Sequence, residues 1–264
     1  MRTSAHAGGS RALHRNRIML VTPTRIAYRS LFGRPGLRTF GAWFFYIAID
    51  QPFEIACGDA APAQQWIALV PPYVPHRVST PDRYLAQVLL EAETIADGTQ
   101  LGALIEDSDR AADTRRRILC AFDRPLQEPS VFDQHFFGVE LTKRTLDSRV
   151  AVAIRAISEP GGHILLADDF AHKAGLSVSR YTHLFTREMG VSFRRVRAWK
   201  RARGLLPLVA QEASLVNVAL DTGYADSTHF CHSIRQFYGY KPSDIFSGSR
   251  RLAVVAQWSH QAAA

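Results

Sequence analysis

Ala171-His-Lys-Ala-Gly175-Leu176-Ser177-Val-Ser-Arg-Tyr181-Thr-His-Leu-Phe185, closing at Gly190, is answered further along by a second stretch. That stretch reads Ala219-Leu-Asp-Thr-Gly223-Tyr224-Ala-Asp226-Ser-Thr-His-Phe230-Cys-His-Ser-Ile234 and closes at Gly239. The leading alanines and first glycines lie 48 residues apart, and the apolar positions and closing glycines 49, so the second turn is one residue longer. Two copies are too few for a solenoid. Each copy reads as helix, glycine turn, helix. Gly175 and Gly223 fall where a first helix ends and a left-handed residue is cheapest. Ser177 and Asp226 then stand as N-caps of the second helices, expected over Ser177 to Met189 and Asp226 to Tyr238. Tyr181, Leu184 and Phe185 in one helix, and Phe230, Ile234 and Phe237 in the other, recur at helical spacing and face inward. The opposite faces carry hydroxyls, imidazoles and arginines with almost no carboxylate, which suits a DNA major groove.

The pair of helix-turn-helices, with the ending Gly223-Tyr224-Ala-Asp226-Ser-Thr-His229-Phe230 … Phe237-Tyr-Gly239-Tyr-Lys-Pro242-Ser243, resembles the DNA-binding domain of AraC-family bacterial transcription regulators. Ile234 and Phe246 depart from that pattern, standing where the family usually has phenylalanine and arginine. The resemblance implies two homeodomain-like readers in successive major grooves, roughly 34 Å apart. Carried over by position, Ser179, Thr182 and His183 of the first helix, and Ser227, Thr228 and His232 of the second, face bases. Arg180, Arg187, Arg235 and Lys241 hold phosphates, which position a protein without reading sequence. It also implies a cupin-like sensor for a small-molecule effector, helices that often mediate homodimerisation, contact with RNA polymerase and a cytoplasmic location.

Composition agrees. The chain has 264 residues, a formal charge of +8 and ordinary apolar and charged fractions of 47% and 21%. Between Asp147 and Arg251 stand 15 Lys/Arg against 9 Asp/Glu; everything else has 17 against 15. The repeat region therefore holds most of the excess, as a polyanion-binding half should. That excess is small for a nonspecific architectural DNA binder, which would also leave the N-terminal half without a role. Cys57, Cys120 and Cys231 have no metal spacing and read as buried free thiols in a reducing compartment. No apolar run is long enough to span a bilayer.

Residues 1–17 read as a disordered leader, with Met19 an alternative start. Residues 18–105 carry the β signal: Ile18-Met-Leu-Val-Thr, Trp43-Phe-Phe-Tyr-Ile-Ala-Ile, Trp66-Ile-Ala-Leu-Val and Tyr84-Leu-Ala-Gln-Val-Leu-Leu-Glu are short and bounded by breakers. They predict a sandwich or small barrel, and with the helical half an α+β, two-domain chain. Pro71-Pro72-Tyr73-Val74-Pro75-His76 is similar to the loop-then-histidine segment of cupins. His76 is the sole imidazole there, and Leu37 to Tyr46 supplies none, so no metal is expected. It is either a structural histidine or a polar contact to an effector. Trp43, Phe45, Tyr46 and Trp66 either line the effector pocket with it or are plain core. No phosphate loop, nucleophile elbow or carboxylate pair supports the rival reading, a cupin-type enzyme fused to a DNA-binding domain, and no cofactor is expected.

Residues 106–146 read as one or two helices, either a dimer surface or a lid on the barrel. Residues 147–251 form the DNA-binding half, beginning with an amphipathic helix over Arg149 to Ile157. Its two copies are joined by a basic sleeve carrying Arg194, Arg195, Arg197, Lys200, Arg201 and Arg203, expected to break near Leu206 because of Gly204 and Pro207. Residues 252–264 read as a flexible tail.

Overall fold

A computed structural model describes residues 17–126, 128–159, 161–209, 215–224, 226–249 and 252–256. The expected leader, apart from Arg17, and the tail beyond 256 lie outside the described residues. Eight strands come first: β1 (Ile18–Val21), β2 (Arg25–Leu31), β3 (Ala42–Ala48), β4 (Phe53–Cys57), β5 (Ala63–Gln65), β6 (Ile67–Val70), β7 (His76–Ser79) and β8 (Tyr84–Glu91). The helices follow: α1 (Ser108–Ala121), α2 (Phe132–Phe137), α3 (Ser148–Ser158), α4 (Ala167–Lys173), α5 (Val178–Met189), α6 (Phe193–Arg203), α7 (Leu215–Asp221), α8 (Ser227–Tyr238) and α9 (Pro242–Ser249). A last strand, β9 (Ala253–Ala256), returns to the beginning of the chain.

The strands make two sheets, ordered β6-β3-β8-β2-β1-β9 and β5-β4-β7. Of the two expected forms, sandwich or small barrel, the closed barrel is not found: the strands lie in two separate sheets. The physical reason lies in β3, whose run Ala-Trp-Phe-Phe-Tyr-Ile-Ala lacks polar alternation because both faces are covered. Phe44 and Tyr46 point to one apolar cluster, shared with the C-terminal half. Phe45 and Ile47 point to another, capped by Ile118, Leu119, Phe132, Phe136 and Phe137 of α1 and α2. Helices α1 and α2 thus cover one face of the main sheet. A sheet filled on both sides leaves no hollow of its own for a ligand.

The expected flexible tail is corrected in part. Ala253–Ala256 pairs in parallel with β1, Ile18 opposite Ala253, and so occupies an edge that would otherwise expose unpaired backbone groups. Among the described residues no helix is long and apolar enough to cross a membrane. The cysteines are less buried than expected: Cys120 is exposed, and Cys57 and Cys231 are half-buried.

Candidate nucleic-acid interface and interdomain cavity

Both predicted readers form. The Ser177 side chain accepts from the Arg180 amide to start α5, and Asp226 accepts from the His229 amide to start α8. Gly175 and Gly223 end the preceding helices at φ of 64° and 78°; Gly190 and Gly239 close the readers at 73° and 72°. Ser179, His183, Arg180 and Arg187 are exposed on α5, with Thr182 half-buried beside them. The Thr182 hydroxyl donates back to the Val178 and Ser179 carbonyls, so it faces outward chiefly as an acceptor and a methyl. Ser227, Thr228, His232 and Arg235 are exposed on α8, and Lys241 follows it, also exposed. The inward residues are buried as expected. Ile234 is fully buried and Phe246 packs against the same cluster, so both departures from the family pattern serve the core.

The readers are moored differently. The first is closed by Val150, Ile154, Phe170, Tyr181, Phe185, Phe193 and Val196, a cluster drawing nothing from before Leu146 among the described residues. The second shares one core with the sheet. Phe230, Ile234, Phe237 and Tyr238 join Phe40, Phe44, Tyr46 and Leu89 around Trp199. Gly41 has no side chain because the Trp199 ring lies where one would be: an added Cβ would come within 2.3 Å of it. The Gly36 amide donates to the Gly239 carbonyl at 2.8 Å, pinning the end of α8 to the loop before β3.

Part of the expected basic sleeve turns inward. Lys200 donates to Glu91 Oε2 at 2.7 Å and also to Glu93; Arg203 Nε lies 2.5 Å from Glu91 Oε1. The Trp199 indole donates to Glu91 Oε2 at 3.0 Å, and Arg203 Nη2 donates to the Thr22 carbonyl at 2.7 Å. Burial pushes the Glu91 carboxyl up, but Lys200 and Arg203 outweigh it and hold it below its ordinary value. Arg194 and Arg195 stay exposed. Helix α6 ends at Arg203, and a 3-10 turn at Leu206–Leu208 follows, which is the break expected from Gly204 and Pro207.

The five expected effector residues do not come together. Phe45 belongs to the helix-covered face, where Trp43 packs partly buried, its ring against Gly98. Trp66 is 48% exposed and stacks on Arg115, 4.7 Å away. Tyr46 and His76 are buried, and they position another group. His76 Nδ1 meets the Val74 carbonyl at 2.9 Å and must donate to it, leaving Nε2 to accept from the Tyr46 hydroxyl at 2.8 Å. Tyr46 in turn accepts from Arg38 Nη1 at 3.2 Å. Burial, aided by Arg38, lowers the His76 pKa to about 4 and keeps the ring neutral.

Arg38 is the residue sequence reasoning passed over. It is 1% exposed, and its Nε and Nη2 make no hydrogen bond. It borders a cavity of about 550 Å³ between the main sheet and the second reader. Tyr28 and Phe40 form the sheet wall, Leu206 and Val209 the linker wall, and Tyr240 and Ile245 the reader wall. The Tyr240 side chain lies beside Arg38, with its ring under the guanidinium at 5.2 Å. An arginine just ahead of the aromatic run Phe40-Gly-Ala-Trp-Phe-Phe-Tyr46 was the available signal. Among the described residues no group of three or more His, Cys, Asp or Glu side chains is placed to hold a metal.

A family model described as a helix-turn-helix domain matches residues 170–247. The C-terminal part of this chain is an AraC-type helix-turn-helix domain. It belongs to a DNA-binding transcription regulator with a sheet-rich N-terminal half. No curated protein sequence matches the chain. Among solved structures it is similar to ToxT of Vibrio cholerae: an apo lysine-to-alanine variant from strain SCE256 (TM-score 0.56) and ToxT from O395 (0.54), each 10% identical over 85% of this chain and 97% of that one. Wild-type ToxT from strain SCE256 with an unsaturated fatty acid bound gives 0.51 at 10% identity over 87% and 97%. At such identity the likeness is one of fold. The AraC-type domain of this chain therefore sits in a two-part architecture also seen in ToxT.

Proposed function

We propose that this regulator binds specific DNA sites and answers to an amphipathic carboxylate held between its sheet and its second reader. Ser179, Thr182 and His183 on one helix, and Ser227, Thr228 and His232 on the other, face bases; Arg180, Arg187, Arg235 and Lys241 hold phosphates. The observation that carries the effector reading is Arg38. Arg38 bonds the neutral Tyr46 hydroxyl and lies over the Phe32, Phe40 and Tyr240 rings, but no carboxylate among the described residues pairs with it in the cavity wall beside its two unbonded nitrogens, and an anion there would offset the cost of the buried charge. A carboxylate accepts two parallel hydrogen bonds from such a group. The aromatic and aliphatic walls suit a hydrocarbon body, and the fatty acid bound to ToxT is a molecule of that chemistry.

Fluorescence anisotropy with the upstream region of the protein's own gene, in excess random DNA, tests the reading. Competition-resistant binding that shifts on adding oleate, with Arg38→Gln abolishing the shift but not the binding, is the expected result. Binding lost to random DNA would refute sequence specificity. A shift that persists in Arg38→Gln would refute the head-group site. His183→Ala should relax site preference by about 1–3 kcal/mol per base contact, whereas Arg187→Ala should weaken all sequences alike.

A further inference from the structure

We infer that the two readers are unequally controlled: the cavity governs the second, while the first is an independent module joined to the rest by a hinge inside α6. The division seen in packing is not the division seen in sequence. Val196 on α6 belongs to the core of the first reader; Trp199, one turn later, belongs to the core shared with the sheet. The boundary therefore crosses α6 at Arg197 and Ala198, both half-buried. Beyond it, the inward residues of α6 belong to the core shared by the sheet and the second reader. Trp199, Lys200 and Arg203 converge on Glu91 at the end of β8, and Tyr238 of α8 donates to the Ala202 carbonyl at 3.1 Å.

The first reader meets the N-terminal half through sparse polar contacts. Arg195 reaches the Tyr73 carbonyl at 3.4 Å and lies over its ring at 4.6 Å. Arg144, just before α3, donates to the Glu188 carbonyl at the end of α5. The cavity is walled by the sheet, the linker and the second reader, and among the described residues none between Arg144 and Arg203 borders it. A molecule that enters it contacts the second reader directly and the first not at all. A ligand shifts an arrangement only through differential contact with its states, so occupancy acts on the placement of α8 relative to α5. This ligand step rests on the effector reading above; the unequal mooring does not.

Native-state hydrogen exchange on the full chain, read by mass spectrometry across a denaturant series, tests the mooring without any ligand. Amides of α8 and the second half of α6 should open together with β1, β2 and β8, while those of α3 and α5 open separately, with protection differing at least tenfold. One shared opening for α5 and α8 would overturn the inference, as would an α8 that opens independently of the sheet. The coupling is tested by Ser30→Trp, which fills the cavity from β2, with footprinting on the bound site. Protection should change at least threefold in the half contacted by the second reader and stay within error in the other. Equal change in both halves, or none in either, would overturn it. Should oleate leave exchange unaltered while Ser30→Trp acts as described, the carboxylate reading fails and the unequal control stands.

Discussion

Phe170, Tyr181 and Phe185 close the first helix-turn-helix against Phe193, from the start of the linker helix. Val218, Phe230 and Ile234, at the matching places in the repeat, belong instead to the core of Trp199, Phe40 and Phe44, shared with the sheet. One motif written twice has therefore been given two kinds of support. A helix-turn-helix of this size has little apolar surface, and whichever element completes its core sets its orientation. For the first reader that element is its own flank. For the second it is the part of the molecule that borders the cavity.

The largest test of this contrast is Glu91→Ala. It leaves Lys200 and Arg203 buried with only Glu93 opposite, and removing one partner of a buried network costs about 3–5 kcal/mol. Urea denaturation should show the sheet and second reader melting earlier while α5 keeps its own transition; simultaneous loss of both readers would break the contrast. Acid should act nearly as strongly and on the same side. His76 has its pKa lowered to about 4 from 6.5, so the unfolded chain binds more protons between those values. Up to about 3 kcal/mol of stability is fully present above pH 6.5 and is lost as pH falls towards 4. His76→Gln should flatten that part of a stability-versus-pH curve.

Gly41→Ala comes next. A methyl group driven into the Trp199 ring should cost about 1–3 kcal/mol and loosen α8 without touching α5, as thermal melting and exchange would report. The smallest and most symmetrical test is the pair of caps. Ser177→Ala and Asp226→Ala should each cost about 1 kcal/mol. Only the second should lower the stability of the sheet as well.

Much of this was legible in the sequence, and the rest was not for identifiable reasons. The readers, their caps and their glycines followed from local rules, since each helix end is decided by residues a few positions away. Strand β8 was found with its bounds intact because Pro and Asp precede it. The apolar run of β3 was visible too, but periodicity alone does not reveal that both of its faces are covered, which is why a sandwich and a small barrel stayed equally open. Lys200 and Arg203 looked like part of a solvated sleeve. Their partners, Glu91 and Glu93, lie more than a hundred residues earlier, and no helical spacing points to them. Arg38 was missed for the same reason: its significance comes from what surrounds it and from the hydrogen bonds it lacks. The effector residues first favoured were chosen by type, and the fold distributed them over two faces and an exposed edge.

The parallel pairing of β9 with β1 also bears on how the protein is made. Strand β1 leaves the ribosome long before β9, the last described element. Until then the edge of β1 is open, a template for pairing with other chains in its nascent state. The first reader, which needs only residues close to it in the chain, is free to fold during synthesis, whereas the sheet edge is closed only once β9 has emerged. A nascent chain would complete the core of its first reader well before that of its second.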